Sequence, residues 1–196
     1  MSFDLTAILR DWPYDSDSNM RIVEAEDGRG VLQVRQPLGV EQYELDGRPD
    51  GERPFNSESV VAELCDRLAK YKEATGDDEG FELTHEDCAL MQGEGILYYY
   101  RYLLLFQLND FERVIRDTGH NLRICELLEN YCTEKEDRNA VLQFKPYIVR
   151  MNAMARAMQH VRNEDSDEAR KILEQAVIEV QAIEKIDSPA FQFERV

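Results

Sequence analysis

The chain is 196 residues long, enough for one well-filled core or one core with a small appendage. Its content of 43% hydrophobic and 9% aromatic residues is too high for a disordered tail. Forty acidic residues stand against 23 basic ones, and the net charge of −17 repels phosphate backbones and anionic lipid, which excludes nucleic acid and a membrane surface as main ligands.

Residues 4–11 predict a short helix that Pro13 ends. The leading MSFDLTAILRDWP lacks the basic start and long apolar run of a signal peptide. The longest apolar stretch, ILYYYRYLLLF, is too short for a membrane span and carries Arg101. These features point to a cytoplasmic protein. The closing SPAFQFERV is no recognisable cap, so the chain's natural extent stays open. In DSDSNMRIVEAE, residues Asp15, Asp17, Asn19, Ile22 and Glu26 fall at positions of a calcium loop. Met20 stands where that loop needs glycine, and a strand follows where it needs a helix. The segment reads as a solvated acidic turn.

From Met20 the hydrophobic period is two. MRIVEAE and VLQVRQ flank the turn signal Asp27-Gly28-Arg29-Gly30. A third segment, GVEQYEL, alternates Val40, Gln42 and Glu44 against Glu41, Tyr43 and Leu45. It runs into the turn-rich Asp46–Gly51. A three-stranded antiparallel ribbon within residues 1–55 is expected. Three short strands are too few to stand alone, so they are expected to pack on the helices of residues 56–196 in one common core.

After Pro54 the period is helical. Residues 57–74 carry Val60, Val61, Leu64, Leu68 and Tyr71 on one side and stop at Gly76. Thr84 with Asp87 signals the start of a helix over 85–107, and Asn109-Asp110 separates it from one over 110–132. A fourth covers 136–162, with a kink or break at Pro146, and a last one follows the turn at 163–166 and runs to about 186. LNDFERVI near 110 echoes EDSDEARKI near 165, as expected for short-turned antiparallel hairpins lying side by side. The fold class is α+β, mostly α: helical hairpins of a tetratricopeptide-like or UVR-like kind with a small N-terminal ribbon.

The stretches LQVRQPLGVEQYELDGRPDGERP, YYYRYLLLFQLNDFERVIRDTGHNLRI and QFKPY resemble a family of uncharacterised bacterial proteins that carry a UvrB/UvrC-type (UVR) motif. The resemblance covers residues 12 to about 186. In UvrB and UvrC the motif is a helical hairpin for protein docking. It implies such a hairpin here around DSDEARKILEQAVIEVQAI, with Ala169, Ile172, Leu173 and Ala176 at the packing positions. Ser166 stands where the motif usually has an aromatic residue. The resemblance implies protein contacts and no reaction.

No catalytic constellation emerges from the motifs. Glu82-Leu-Thr-His85 has Glu-x-x-His spacing, but it occurs once and straddles a helix start, whereas a di-iron bundle needs it twice. Cys65, Cys88, Cys125 and Cys132 include no C-x-x-C pair. Cys125 and Cys132 share a helix face without two further ligands, so all four read as reduced, largely buried thiols. No metal or other cofactor is expected.

Two places invite a functional reading. On the helix over 110–132, Phe111, Val114, Ile115, Thr118, Leu122, Cys125 and Cys132 form a core stripe. Arg113, Arg116, His120 and Arg123 line the opposite side, and Leu127 and Tyr131 continue it. Either an acidic helix around Glu164, Asp165, Asp167 and Glu168 covers that stripe, or it forms a groove for an acidic or C-terminal peptide. The second place is Tyr98, Tyr99, Tyr100 and Tyr102, which wrap more than half a turn of their helix. They fit a central helix packed on several sides, or a ligand pocket built from Glu94, Tyr98, Arg101 and Tyr102. The leading expectation is a non-enzymatic module docking a protein partner. A small-ligand binder or enzyme at the tyrosine cluster, and a homodimeric structural subunit, are the alternatives.

Overall fold

The structure is a computed structural model, and it describes residues 4–194. The protein is α+β and mostly α, in two compact units, Met1–Arg53 and Pro54–Val196.

In the first unit a short helix, α1 (Thr6–Asp11), precedes strands β1 (Met20–Glu24), β2 (Gly30–Gln36) and β3 (Gly39–Glu44). The strands pair antiparallel in the order β1-β2-β3, with Ile22 opposite Leu32 and Val34 opposite both Met20 and Glu41. Gly28 turns the first hairpin at φ +84°, a conformation costly for side-chain-bearing residues. At Gly30 a Cβ would lie 2.8 Å from Leu45 Cδ1, so any side chain there would have to displace the end of Leu45. The central strand carries buried Val31, Leu32 and Val34, and also Arg35. The Arg35 guanidinium donates to the carbonyls of Trp12 (2.7 Å), Gln36 and Gly39 (3.1 Å), while Arg21 lies 3.9 Å over the Trp12 ring. Two arginines thus fasten the end of α1 to a ribbon too small to hold itself. The Asp15–Asn19 segment is a turn closed by Asp15 Oδ1 accepting from the Asp17 amide, and it leads into β1.

The second unit opens on a short 3₁₀ turn (Pro54–Asn56), followed by α2 (Val60–Thr75), α3 (His85–Gln107), α4 (Phe111–Tyr131), α5 (Lys135–Leu142), α6 (Lys145–Arg162), α7 (Ser166–Ala182) and α8 (Pro189–Glu194). Their starts are written in the sequence. Ser59, Asp110 and Asp165 cap α2, α4 and α7 through side-chain oxygens, and Thr84 with Asp87 forms a reciprocal capping box on α3. The echo between the turns near 110 and 165 is geometric. Asn109 and Glu164 both adopt left-handed φ values (59° and 61°). The next amide, of Asp110 or Asp165, returns to the carbonyl five residues back at 2.9 Å in both cases. Each is a Schellman termination followed at once by an Asp cap.

The segment over 136–162, expected to kink or break at Pro146, is two helices separated at Gln143-Phe144. Pro146 sits in the first turn of α6, where its missing N–H breaks no helical bond, and α5 ends at Leu142. The last long helix stops at Ala182, where Ile183 turns extended, and the further short helix α8 had no sequence signal.

Contacts run in opposite chain directions between neighbours. Glu94 meets His120, Arg101 meets Asp117 and Phe106 meets Phe111, so α3 and α4 are antiparallel. Lys145 meets Glu129 and Asn152 meets Thr118, which sets α6 antiparallel to α4. Helix α7 folds back along α6, burying Ala169 and Ile172 against Ala153 and Ala157. The main core joins Val60, Leu64 and Leu68 of α2 to Met91 of α3 and Ile124, Leu127 and Leu128 of α4.

Candidate functional site

Helix α3 is apolar almost all round, because it is covered on more than one side. Its positions 94, 98 and 101 follow i, i+4, i+7 spacing and form one buried stripe; positions 95, 99 and 102 form the adjacent stripe. The two stripes have different chemistry.

The first is a closed polar network. Glu94, fully buried, accepts from the amides of Val60 (2.7 Å) and Val61 (3.1 Å), the first two residues of α2. Ser59 Oγ accepts from the next amide, Ala62, at 3.0 Å. The three leading amides of α2 are therefore satisfied, two of them by a carboxylate from another helix. Glu94 also accepts from His120 Nε2 (3.0 Å), which fixes that nitrogen as the protonated one. Burial raises the Glu94 pKa, but His120 and the two amides outweigh it and hold the carboxyl below its ordinary range. The His120 ring stacks on Tyr98 at 3.7 Å, and the Arg101 guanidinium lies 4.9 Å from the same ring. Arg101 donates twice to Asp117 (2.7 and 2.8 Å), both side chains fully buried, and Arg116 adds a third bond to Asp117 at 3.0 Å. Burial pushes the Tyr98 hydroxyl up to about 12.

The second stripe faces a cavity of about 430 Å³. Its walls are Gly95, Tyr99 and Tyr102 of α3, Asn121 and Ile124 of α4, Ala140 and Val141 of α5, and Tyr147 and Ile148 of α6; Phe144 joins them from the bend between α5 and α6. Among the described residues the lining includes no carboxylate, amine, guanidinium, imidazole or thiol, in a chain one third of whose residues are charged. Tyr99, Tyr102 and Tyr147 make a mutually contacting set, with ring centroids 5.5–6.5 Å apart. The rim is exposed, with Ile96, Phe144 and Tyr100 47, 45 and 52% accessible and the polar Gln92 beside them.

The Tyr102 hydroxyl and Asn121 Oδ1 are buried behind the cavity wall, and neither is open to the cavity. Asn121 Nδ2 donates to Gly95 O at 2.9 Å, and this orients the amide. The two side chains face and interact with each other. Burial raises the Tyr102 pKa well above that of a free phenol, so the hydroxyl keeps its proton.

Of the four residues expected to build a ligand pocket, only Tyr102 lines this one. Glu94, Tyr98 and Arg101 belong to the network on the neighbouring stripe. The residues missed are Asn121, Phe144 and Tyr147. Phe144 and Tyr147 were hidden because the break, expected at Pro146, falls at Gln143-Phe144, and it sets both residues at the cavity facing α3.

The expected arginine stripe does not form an open groove. Arg113 pairs with Asp110 (2.8 Å), Arg116 with Asp117, and Arg123 with Glu126 (2.5 Å), while His120 is held by Glu94. Leu127 is fully buried in the main core; Tyr131 packs edge-on to Phe81 and donates to Asp78 at 2.8 Å. The acidic residues near 164–168 do not cover the stripe either, since α7 packs on α6, and Asp165 and Glu168 serve His160, Lys171 and the start of α7. Of the residues read as UVR packing positions, Ala169, Ile172 and Ala176 face α6, but Leu173 is exposed, one helix step away from that face.

His85 pairs with Asp137 of α5 (2.8 Å), and among the described residues no group of three or more His, Cys, Asp or Glu is placed to hold a metal ion. Cys88 and Cys132 are buried thiols with their sulfurs 3.4 Å apart. Among the described residues no helix is long and apolar enough to cross a membrane. No protein-family model, curated protein or solved structure matches the chain.

Proposed function

We propose that the helical unit binds a small molecule in the cavity between α3, α4, α5 and α6. The observation that carries this reading is a cavity of about 430 Å³ that is walled by the mutually contacting Tyr99, Tyr102 and Tyr147 and opens past the exposed Ile96, Tyr100 and Phe144. A guest that covers such an apolar wall gains about 25 cal/mol per Å² of surface taken out of water. The exposed aromatic rim supports the same reading. The reading is binding, since the described lining is dominated by apolar and aromatic side chains and includes no carboxylate, imidazole, amine or thiol. The four unpaired thiols accord with a reducing, cytoplasmic location.

The test is titration calorimetry of the full chain with indene, naphthalene and indole. Wild type is expected to bind at least one of them, and Ala140→Phe, which fills the cavity from α5, is expected to lose that binding at unchanged helical circular dichroism. Absence of binding by all three probes, or equal binding to the filled variant, refutes the reading.

Protein docking, as the UVR resemblance implies, keeps one observation in its favour. Leu173, Val177 and Ile178 leave an exposed apolar side on α7. The arginine stripe contributes nothing to that alternative, since its charges are engaged within the helical unit.

A further inference from the structure

Four thiols lie in the helical unit, and two of them touch. Cys88 and Cys132 are 3 and 4% exposed, with their sulfurs 3.4 Å apart. We infer that this pair is a disulfide site: under oxidising conditions Cys88 and Cys132 join and staple the α3–α4 hairpin at the end opposite its turn. The staple does not depend on what the cavity binds.

The fold holds the two sulfurs side by side from both directions. Cys88 lies near the start of α3, which Thr84 and Asp87 fix by their reciprocal cap. Cys132 is the residue that ends α4, its amide bonded to Leu128 O at 3.1 Å. Beside them the Leu83 amide donates to Tyr131 O at 2.9 Å, so the start of α3 and the end of α4 are tied main chain to main chain. A disulfide needs sulfurs about 2.0 Å apart, so closing the pair calls for an approach of about 1.4 Å. Cys132 has the freedom for it: its backbone is already extended (φ −97°, ψ 113°), and Thr133 and Glu134 beyond it are exposed. The other thiols are engaged elsewhere. Cys125 packs with Leu142 and Ile148, and Cys65 lies 3.6 Å from Arg123 Nη2.

The reaction balances with a low-molecular-weight disulfide of the glutathione type as oxidant. The Cys132 thiolate attacks one sulfur of that disulfide, breaks its S–S bond and expels one thiolate. The Cys88 thiolate then attacks the Cys132 sulfur of the mixed disulfide and expels the second. Two protein thiols are oxidised, the reagent is reduced to two thiols, and these take up the two protons. Burial governs the rate and not the equilibrium. The Cys88 thiol is pushed up to about 12, chiefly by burial and then by Cys132, so exchange is slow in the closed protein and proceeds when this end of the hairpin opens.

The experiment is an equilibrium one on the full chain. Protein refolded from urea into buffers of reduced and oxidised glutathione is quenched with N-ethylmaleimide, digested with trypsin and read by mass spectrometry. A parallel set stays in urea. Residues 73–101 linked to 124–135 carry the expected bond, and fragmentation distinguishes Cys132 from Cys125. The effective concentration of the Cys88–Cys132 pair is expected to be about 30-fold or more higher in the folded protein than in urea, the lower end of what a native disulfide adds to stability. By linkage the oxidised protein then melts several degrees above the reduced one, and Cys132→Ser loses both effects. Should that variant fail to fold, the wild-type ratio decides alone. Equal effective concentrations in the folded and unfolded chain overturn the inference, as does a folded protein in which Cys65 or Cys125 takes over the bond.

Discussion

Glu94→Gln isolates the cap that ties α3 to the start of α2. The carboxylate accepts three hydrogen bonds: from Val60 N at 2.7 Å, Val61 N at 3.1 Å and His120 Nε2 at 3.0 Å. Glutamine keeps the volume but turns one oxygen into an NH₂ that faces donors. At least one buried donor then loses its acceptor, and the rest lose a charged one. At about 1–3 kcal/mol per unsatisfied buried group, the expected destabilisation is about 2–4 kcal/mol. For a chain of this length that corresponds to a fall of roughly 4–16 °C in melting temperature. Urea unfolding should show a lower midpoint at unchanged slope. Ser59→Ala, which removes only the Ala62 cap, should cost about 1 kcal/mol. The pH dependence has a definite sign. The native Glu94 pKa lies below its unfolded value, so its contribution is full above that unfolded value and fades as pH falls through the native one. The gap between wild type and Glu94→Gln should therefore narrow in acid, below about pH 4. A Glu94→Gln protein within about 0.5 kcal/mol of wild type at pH 7 would refute the capping argument.

Three further outcomes are expected. Arg101→Met should destabilise by about 3–5 kcal/mol in urea unfolding, because it strands a buried Asp117 carboxylate, and the double variant with Asp117→Leu should recover most of the loss. His85, whose pKa Asp137 raises by a hydrogen bond, should titrate above 6.5 by NMR and return toward it in Asp137→Asn; what the pair contributes is present below that ordinary value and lost as pH rises through the raised one. Alkylation of the native protein near pH 8 should reach half-buried Cys65 first. Cys88 and Cys125, each held near 12 chiefly by burial, should react only on unfolding, and labelling of either before Cys65 contradicts this order.

Local chemistry made most helix starts readable. Thr84, Asp87, Asp110 and Asp165 announce their caps by residue type and spacing, and Gly76 ends α2 in the left-handed conformation the sequence implied. The ribbon was readable because its turns and alternation are local too. The cavity was not, since a helical wheel gives the stripes of α3 but not the neighbour each one meets. Glu94 next to the tyrosine run looked like part of a pocket, and its actual partners lie 34 and 33 positions earlier in the chain. Leu127 shared a projected side with three arginines. It is buried because α4 is central, with α3 on one side and α6 on another, so its wheel has no fully solvated half. The arginines remain at the surface through bonds to acidic residues within four positions, pairings the sequence contained but did not single out.

The central claim concerns where a small guest sits, and NMR contacts from bound indole measure that directly. Intermolecular contacts to the rings of Tyr102 and Tyr147 and to the methyls of Ile148, absent in Ala140→Phe, are the predicted result. Contacts confined to Leu173, Val177 and Ile178 of α7, or none at saturating indole, contradict it.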